Sequence, residues 1–172
     1  MKATELLEFL RQFRKDKLTM LQRHVASARH VSDYDFNNTY QYVIAREEMQ
    51  VSWVTDALLA MAADMGRTDA NGLLDDVAEP QISVQGKGEA AQQSVMAQDR
   101  DDAGRFVDQW RPKVEAMTHA RHRTMLNVVL GETLEHKRFF DQALAGRSDL
   151  LGRRADGAGT DGVVLPVRWI EQ

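Results

Sequence analysis

A long helical pattern lies in YQYVIAREEMQVSWVTDALLAM, residues 40–61, and the other elements follow from it. Apolar or aromatic side chains recur in it at alternating steps of three and four residues, the spacing of one face of a helix. This stripe of core-facing positions continues to Met65 and has one exception, the acidic Glu47 near its middle. Gly66 follows directly and is typical of a residue that ends a helix. The pattern predicts a long helix over 35–65 that carries a carboxylate on its buried side.

Outward from this stretch, similar spacing predicts three further helices, over 3–30, 89–116 and 119–145. About four residues separate the first two helices, which must therefore pack as an antiparallel hairpin. The connector 66–87 has roughly 20 residues and can reach about 70 Å, whereas a 30-residue helix is about 45 Å long. We therefore expect an all-α, antiparallel four-helix bundle of the ferritin-like type, with one long crossover between helices 2 and 3.

The expected organisation is one bundle over residues 1–146 and a loop-rich C-terminal tail over 147–172. The tail is rich in glycine but ends in the apolar run Val163 to Ile170, so we expect it to dock on the bundle or on a partner. Pro112 leaves one boundary open, because it either kinks helix 3 or stands at the first position of a longer final helix.

The amino-acid composition excludes several kinds of functional site. The chain has 172 residues, 43% of them hydrophobic and 28% charged, and no cysteine. Disulfides, thiolate metal sites and thiol nucleophiles are therefore excluded, and no apolar run approaches the length of a membrane-spanning helix. The net charge of −4 argues against a nucleic acid partner. The start MKATELLEFL lacks the apolar core of a secretory signal, so we expect a cytoplasmic protein with no membrane partner.

The predicted fourth helix also has polar side chains in its stripe. Glu132 and His136 stand near the middle of a run that is otherwise mainly apolar from Met125 to Ala143. Because helices 2 and 4 run antiparallel in the predicted topology, Glu47 falls at about the same level. A buried carboxylate is costly unless it is paired or bound to a metal. The sequence therefore indicates a candidate metal site formed by Glu47, Glu132 and His136.

Two segments, YVIAREEMQ at 42–50 and VLGETLEHKRFF at 129–140, carry a family resemblance. The second resembles the final helix of rubrerythrin-like and ferritin-like proteins. The resemblance implies two iron or manganese ions that react with oxygen or peroxide, held by one Glu from each of two helices and a Glu-x-x-His pair from each of the others. This chain contains no Glu-x-x-His, so its ligand pattern is degenerate.

Glu47, Glu132 and His136 can also be interpreted as residues that stabilise the fold. Hairpin geometry places Lys17 opposite Glu47, where the two would form a buried ion pair. Glu132 and His136 would then bond to each other or to Arg100 or Arg105 of helix 3, as a polar layer that fixes helix register.

Two hypotheses about function follow, while catalytic residues stay unknown. In the first, the chain is a binding or scaffold protein without a cofactor. It forms a homodimer through helices 1 and 2, since Met49 and Trp53 lie off the central stripe of helix 2. In the second, it is a non-haem iron or manganese oxidoreductase. Glu47, Glu132 and His136 bind the metal there, and Glu48, Glu135 or His24 completes the shell.

Overall fold

The computed structural model describes residues 2–67 and 72–152, and four helices account for most of them. The helices are α1 (Ala3–Ala28), α2 (Tyr34–Asp64), α3 (Glu89–Glu115) and α4 (Ala120–Leu144). The described residues contain no β-strand. The predicted all-α four-helix bundle is therefore confirmed, and each helix boundary lies within two residues of its predicted position.

The order of contacts along the helices defines the topology. α1 packs beside α2 and α3, while α4 packs beside α3 and α2. Phe9 of α1 contacts Trp110 of α3, and Arg23, further along α1, contacts the earlier Asp99. α1 and α3 therefore run antiparallel, as do the helices of each hairpin. The side of the bundle formed by α1 and α3 is opposite the side formed by α2 and α4.

The crossover between α2 and α3 follows the length of the bundle. Leu73 is buried in the hydrophobic cluster at one end, whereas Ile82 and Val84 pack against the cluster at the other end. α2 ends in a Schellman motif, in which the N–H of Gly66 bonds the carbonyl of Ala63 and that of Arg67 bonds the carbonyl of Ala62. Gly66 has φ +73°, a conformation that glycine adopts without strain.

Pro112 lies in the last turn of α3, and α4 begins separately at Ala120. The alternative in which Pro112 begins a longer final helix is therefore wrong. Because Pro112 has no N–H, it cannot donate the hydrogen bond to the carbonyl four residues earlier in α3. None of the helices in the described part of the chain is long and apolar enough to span a bilayer.

The core consists of two apolar clusters, one in each half of the bundle. The Trp110 cluster contains the first half of α1, the second halves of α2 and α3 and the start of α4. The Phe140 cluster contains the opposite half of each helix, and Leu150 of the tail packs in it. Most of the predicted tail, residues 153–172, lies outside the described residues. Between the two clusters the stripes of all four helices carry polar side chains.

Candidate functional site

The buried side chains between the two apolar clusters form what we call the polar layer. They come from every helix and each is at most 1% exposed. The polar layer comprises Lys17 and His24 of α1, Glu47 and Gln50 of α2, Asp99 of α3, and Thr133 and His136 of α4. Each helix thus contributes polar groups to this layer. These groups take positions of the helical stripe that would otherwise be apolar.

Glu47 is the centre of the polar layer. Its Oε1 accepts a hydrogen bond from Nζ of Lys17 at 2.7 Å, and its Oε2 accepts one from Nδ1 of His24 at 2.7 Å. Lys17 also donates to Oγ1 of Thr133 at 3.0 Å and lies 5.4 Å from the centre of the Phe106 ring. The predicted pair of Lys17 and Glu47 is therefore present, and both side chains are fully buried.

The surroundings of Glu47 favour its ionised form. Burial alone would raise the pKa of this carboxyl, but the nearby His24 and Lys17 outweigh burial and lower the pKa well below its ordinary value. Burial likewise disfavours a charged His24, yet the Glu47 carboxylate raises the pKa of His24. The Glu47 carboxylate therefore lies between Lys17 and His24, which both stabilise its negative charge.

His136 lies beside the pair without joining it. Its Nδ1 is 3.7 Å from Oε1 of Glu47, too far for a hydrogen bond. Burial lowers the pKa of His136, so its neutral form is favoured. Three buried atoms of the polar layer have no hydrogen-bond partner: Nδ1 of His136, Nε2 of His24 and Oε1 of Gln50. Such groups destabilise the fold until a partner satisfies them.

Asp99 of α3 is a second buried carboxylate. It accepts hydrogen bonds from the Tyr40 hydroxyl at 2.6 Å and from Nε of Arg23 at 2.9 Å. Burial and the charge of Asp99 raise the pKa of Tyr40 well above its ordinary value, so the phenol stays protonated. The helical spacing of the sequence does indicate that Asp99 faces the core, since residue 99 is three residues after Met96 and four before Ala103.

Glu132 lies at the edge of the bundle, on the side formed by α2 and α4. It pairs with Nη2 of Arg46 and accepts a hydrogen bond from Nε2 of Gln50 at 2.5 Å; its side chain is 22% exposed. Burial raises the pKa of Glu132, but the hydrogen bonds from Arg46 and Gln50 lower it overall. The expected partners on helix 3 are wrong, because Arg100 pairs with Asp101 and Asp141, and Arg105 with Asp102.

These contacts do not fit the two-metal centre that the family resemblance implies. A lysine cation bonds one oxygen of Glu47, where a metal would bind, and Glu132 is bonded to Arg46 and Gln50. Across residues 2–67 and 72–152, no group of three or more His, Asp or Glu side chains has the geometry to hold a metal ion. Metal binding by Glu47, Glu132 and His136 stays a prediction for elemental analysis to test.

A second feature is the partly apolar surface along α2 and α4, here called the seam. Met49 is 46% exposed and Val128 is 45% exposed, the two large hydrophobic side chains that are most open among the described residues. Partly buried apolar residues flank them: Tyr42 and Trp53 of α2, and Met125 and Phe139 of α4. Arg46 lies 5.7 Å from the centre of the Trp53 ring and bridges to Glu132 across the middle of the seam. Met49 and Trp53 therefore mark the side shared by α2 and α4 rather than that of α1 and α2.

The two features differ in what they can do. The polar layer can hold a proton between Glu47 and His24 and fix the register of the four helices, whereas the seam offers apolar area to a binding partner. Neither brings together a nucleophile and a base in the manner of a hydrolase. A comparison with protein-family models, curated proteins and solved structures found no match to this chain.

Proposed function

We propose that this chain is a ferritin-like binding or scaffold protein that works without a di-metal centre and pairs as a homodimer. The observation that carries the proposal is the buried bond between Lys17 and Glu47. A lysine cation that neutralises the central carboxylate does electrostatically what a metal ion does, and it cannot accept electrons. The polar layer then serves the architecture, while the surface serves the function. The proposal retains the cytoplasmic location expected from the sequence.

The seam is the surface that supports pairing with a second copy. It is apolar along both edges and carries a cation on α2 and an anion on α4, Arg46 and Glu132. A two-fold axis through the seam sets α2 of one copy against α4 of the other. Each Arg46 then faces the Glu132 edge of its partner, and Met49 lies near the axis. Such self-complementarity is what a closed dimer needs.

The first test is elemental analysis of protein purified without chelator from cells supplemented with iron and manganese. We expect far less than one equivalent of either metal per chain, and Glu132→Ala should leave that content unchanged. Stoichiometric iron or manganese that is lost in Glu132→Ala would overturn the proposal and favour the oxidoreductase hypothesis.

The second test is molar mass by light scattering over a range of concentrations. Met49→Glu puts a charge in the centre of the seam and should convert dimers to monomers. Thr19→Glu, at an exposed position on the opposite α1–α3 side, is the matched control and should remain dimeric. A wild-type mass equal to one chain, or a Met49→Glu mass equal to two, would rule out this dimer.

A further inference from the structure

We propose that a cleft between α1 and α3 binds a small organic ammonium ion, a primary alkylamine with a short apolar chain, and that Asp16 receives its charge. The inference goes beyond the proposed function and does not depend on pairing through the seam, which lies on the other side of the bundle. The cleft has a volume of about 520 Å³, and Pro80 of the crossover forms part of its wall. This volume lies within the range of small-molecule sites in proteins.

Two polar bridges between α1 and α3 stand along the cleft. Asp16 accepts a hydrogen bond from Gln109 in the first bridge, and Arg23 pairs with Asp102 in the second. The two bridges are seven residues apart on both helices, which corresponds to about 10 Å along the helix axis. All four side chains line the cleft, so a ligand of about this length meets one bridge at each end.

The floor of the cleft between the two bridges is apolar. It is formed by Met20 of α1 and Phe106 of α3, each 6% exposed. The buried Lys17 contacts both from the inside, since its Nζ lies 3.6 Å from Sδ of Met20 and 5.4 Å from the centre of the Phe106 ring. Because Lys17 already supplies a cation to this ring, the floor suits the apolar chain of a ligand rather than its charge.

Asp16 offers a negative charge without a cation to neutralise it. Its carboxylate accepts hydrogen bonds from three neutral donors, Nε2 of Gln12 at 2.7 Å, Nε2 of Gln109 at 3.0 Å and Nε1 of Trp110 at 3.2 Å. Within the described part of the chain, no lysine or arginine forms an ion pair with Asp16. A carboxylate has about four acceptor positions, so one remains for the ammonium group of a ligand.

The carboxylate of the second bridge is not available in the same way. Asp102 already pairs with the guanidinium groups of Arg23 and Arg105. A ligand with one positive charge therefore directs its ammonium group to Asp16 and its apolar chain along the floor. A primary alkylamine is protonated at neutral pH, as a lysine side chain is, and an extended hexylammonium ion has about the length of the floor.

The indole of Trp110 provides a direct readout of binding, because its N–H donates to Asp16. The chain has three tryptophans, so heteronuclear NMR spectra contain three indole signals, which Trp53→Phe and Trp169→Phe assign. We expect hexylammonium to shift the Trp110 signal saturably and to leave the Trp53 signal unchanged. Hexanol lacks the charge and should bind about tenfold more weakly or worse. No saturable shift of the Trp110 signal, or equal affinities for hexanol and hexylammonium, would overturn the inference.

Substitutions in the cleft test the role of Asp16. Asp16→Asn should weaken the binding of hexylammonium about tenfold and leave that of hexanol unchanged. Asp56→Asn is the matched control, because it removes the same charge at an exposed position on α2 and should bind as the wild type does. If Asp16→Asn perturbs folding, Thr19→Lys neutralises Asp16 from three residues away in the same cleft and should weaken hexylammonium similarly. Wild-type affinity in Asp16→Asn and Thr19→Lys would contradict the assignment.

A lysine side chain of another protein carries the same ammonium group as a free amine. Nα-acetyl-lysinamide distinguishes the two sources in the same titration. Its polar amide groups do not match the apolar floor, so we expect it to bind more weakly than hexylammonium. Tighter binding of Nα-acetyl-lysinamide would overturn the assignment of the cleft to a free alkylamine.

Discussion

Glu47 and Glu132 are carboxylates at nearly the same level of the bundle, yet they have opposite surroundings. Glu47 is fully buried and bonds Lys17 and His24, whereas Glu132 is partly exposed and bonds Arg46 at the edge of the bundle. Residues 46 and 47 are neighbours on α2, so one step along the helix changes an ion pair from partly exposed to fully buried. Burial, more than the identity of the charges, therefore determines how strongly the stability of the protein depends on an ion pair.

The two ion pairs also lie in regions with different expected roles, the polar layer in the fold and the seam in binding. The bond between Lys17 and Glu47 joins the two helices of the first hairpin, and the bond from Lys17 to Thr133 reaches α4. These contacts fix the register of three helices at one level. The pair of Arg46 and Glu132 crosses the open seam and leaves the apolar side chains beside it accessible. Changes in the polar layer should therefore affect folding first, and changes in the seam should affect association first.

Removing one member of the buried pair should destabilise the fold most. Lys17→Met removes the cation that bonds Glu47 and leaves the buried carboxylate with only the imidazoles of His24 and His136 nearby, so the free energy of unfolding should fall by about 3–5 kcal/mol. Urea denaturation followed by circular dichroism measures this loss.

The double variant Lys17→Met with Glu47→Leu is the matched control. It removes both charges and should recover part of the lost stability, because no charge stays unpaired; the rest is not recovered, since His24 loses the carboxylate that its Nδ1 bonds. Equal destabilisation of the single and double variants would mean that side-chain packing, rather than an uncompensated charge, explains the loss.

Asp99 should have an intermediate effect. Asp99→Ala leaves the buried Tyr40 hydroxyl without its acceptor and removes one partner of Arg23, which keeps its contact with Asp102. We expect a loss of about 1–3 kcal/mol in the free energy of unfolding. Tyr40→Phe with Asp99→Ala should lose less than the two single variants together, since no unpaired hydroxyl remains. Strict additivity in this double-mutant cycle would argue against the bond.

The dependence of the unfolding free energy on pH tests the individual titratable groups of the polar layer. The pKa of His24 is raised above its ordinary 6.5, so its contribution is complete below that pH and is lost as the pH rises through the folded value. The pKa of His136 is lowered from 6.5, so its contribution is complete above that pH and is lost on acidification. Glu47 adds a further loss in acid, below its ordinary 4.5.

We therefore expect His24→Gln to flatten the alkaline side of the stability curve and His136→Gln to flatten the side just below pH 6.5. Each unit of pKa difference corresponds to about 1.4 kcal/mol. Thr19→Gln, at an exposed position that carries no titratable group, is the control and should keep the wild-type shape. Chemical denaturation at a series of pH values gives these curves, and identical curves for all three variants would contradict the assignment.

The helices were predictable from sequence because each has apolar positions at helical spacing over more than six turns. Glu47 was also predictable as an exception in a strong stripe. Lys17 was identified from hairpin geometry, which requires only that two helices joined by a short turn lie antiparallel. These inferences depend on local periodicity, which the sequence carries directly.

The partners of Glu132 and the burial of Asp99 were harder to predict. Both depend on how far one helix is rotated and shifted against the next, and periodicity within a single helix does not determine that rotation. Glu132 and Thr133 are adjacent, and only the rotation of α4 decides which one faces Lys17. The structure shows that Thr133 does, which directs Glu132 toward Arg46.

The partly exposed pair of Arg46 and Glu132 should contribute least to stability. Arg46→Ala removes the ion pair with Glu132 and the contact with the Trp53 ring, yet it should cost only about 0.2–1 kcal/mol of unfolding free energy. Salt should diminish the cost, because ions screen charges at the surface. Lys17→Met should instead lose nearly the same stability at low and high salt. The two variants, measured together in urea with and without added sodium chloride, compare the regions directly. A salt-independent loss of several kcal/mol in Arg46→Ala would mean that the pair at the seam is as enclosed as the pair around Glu47.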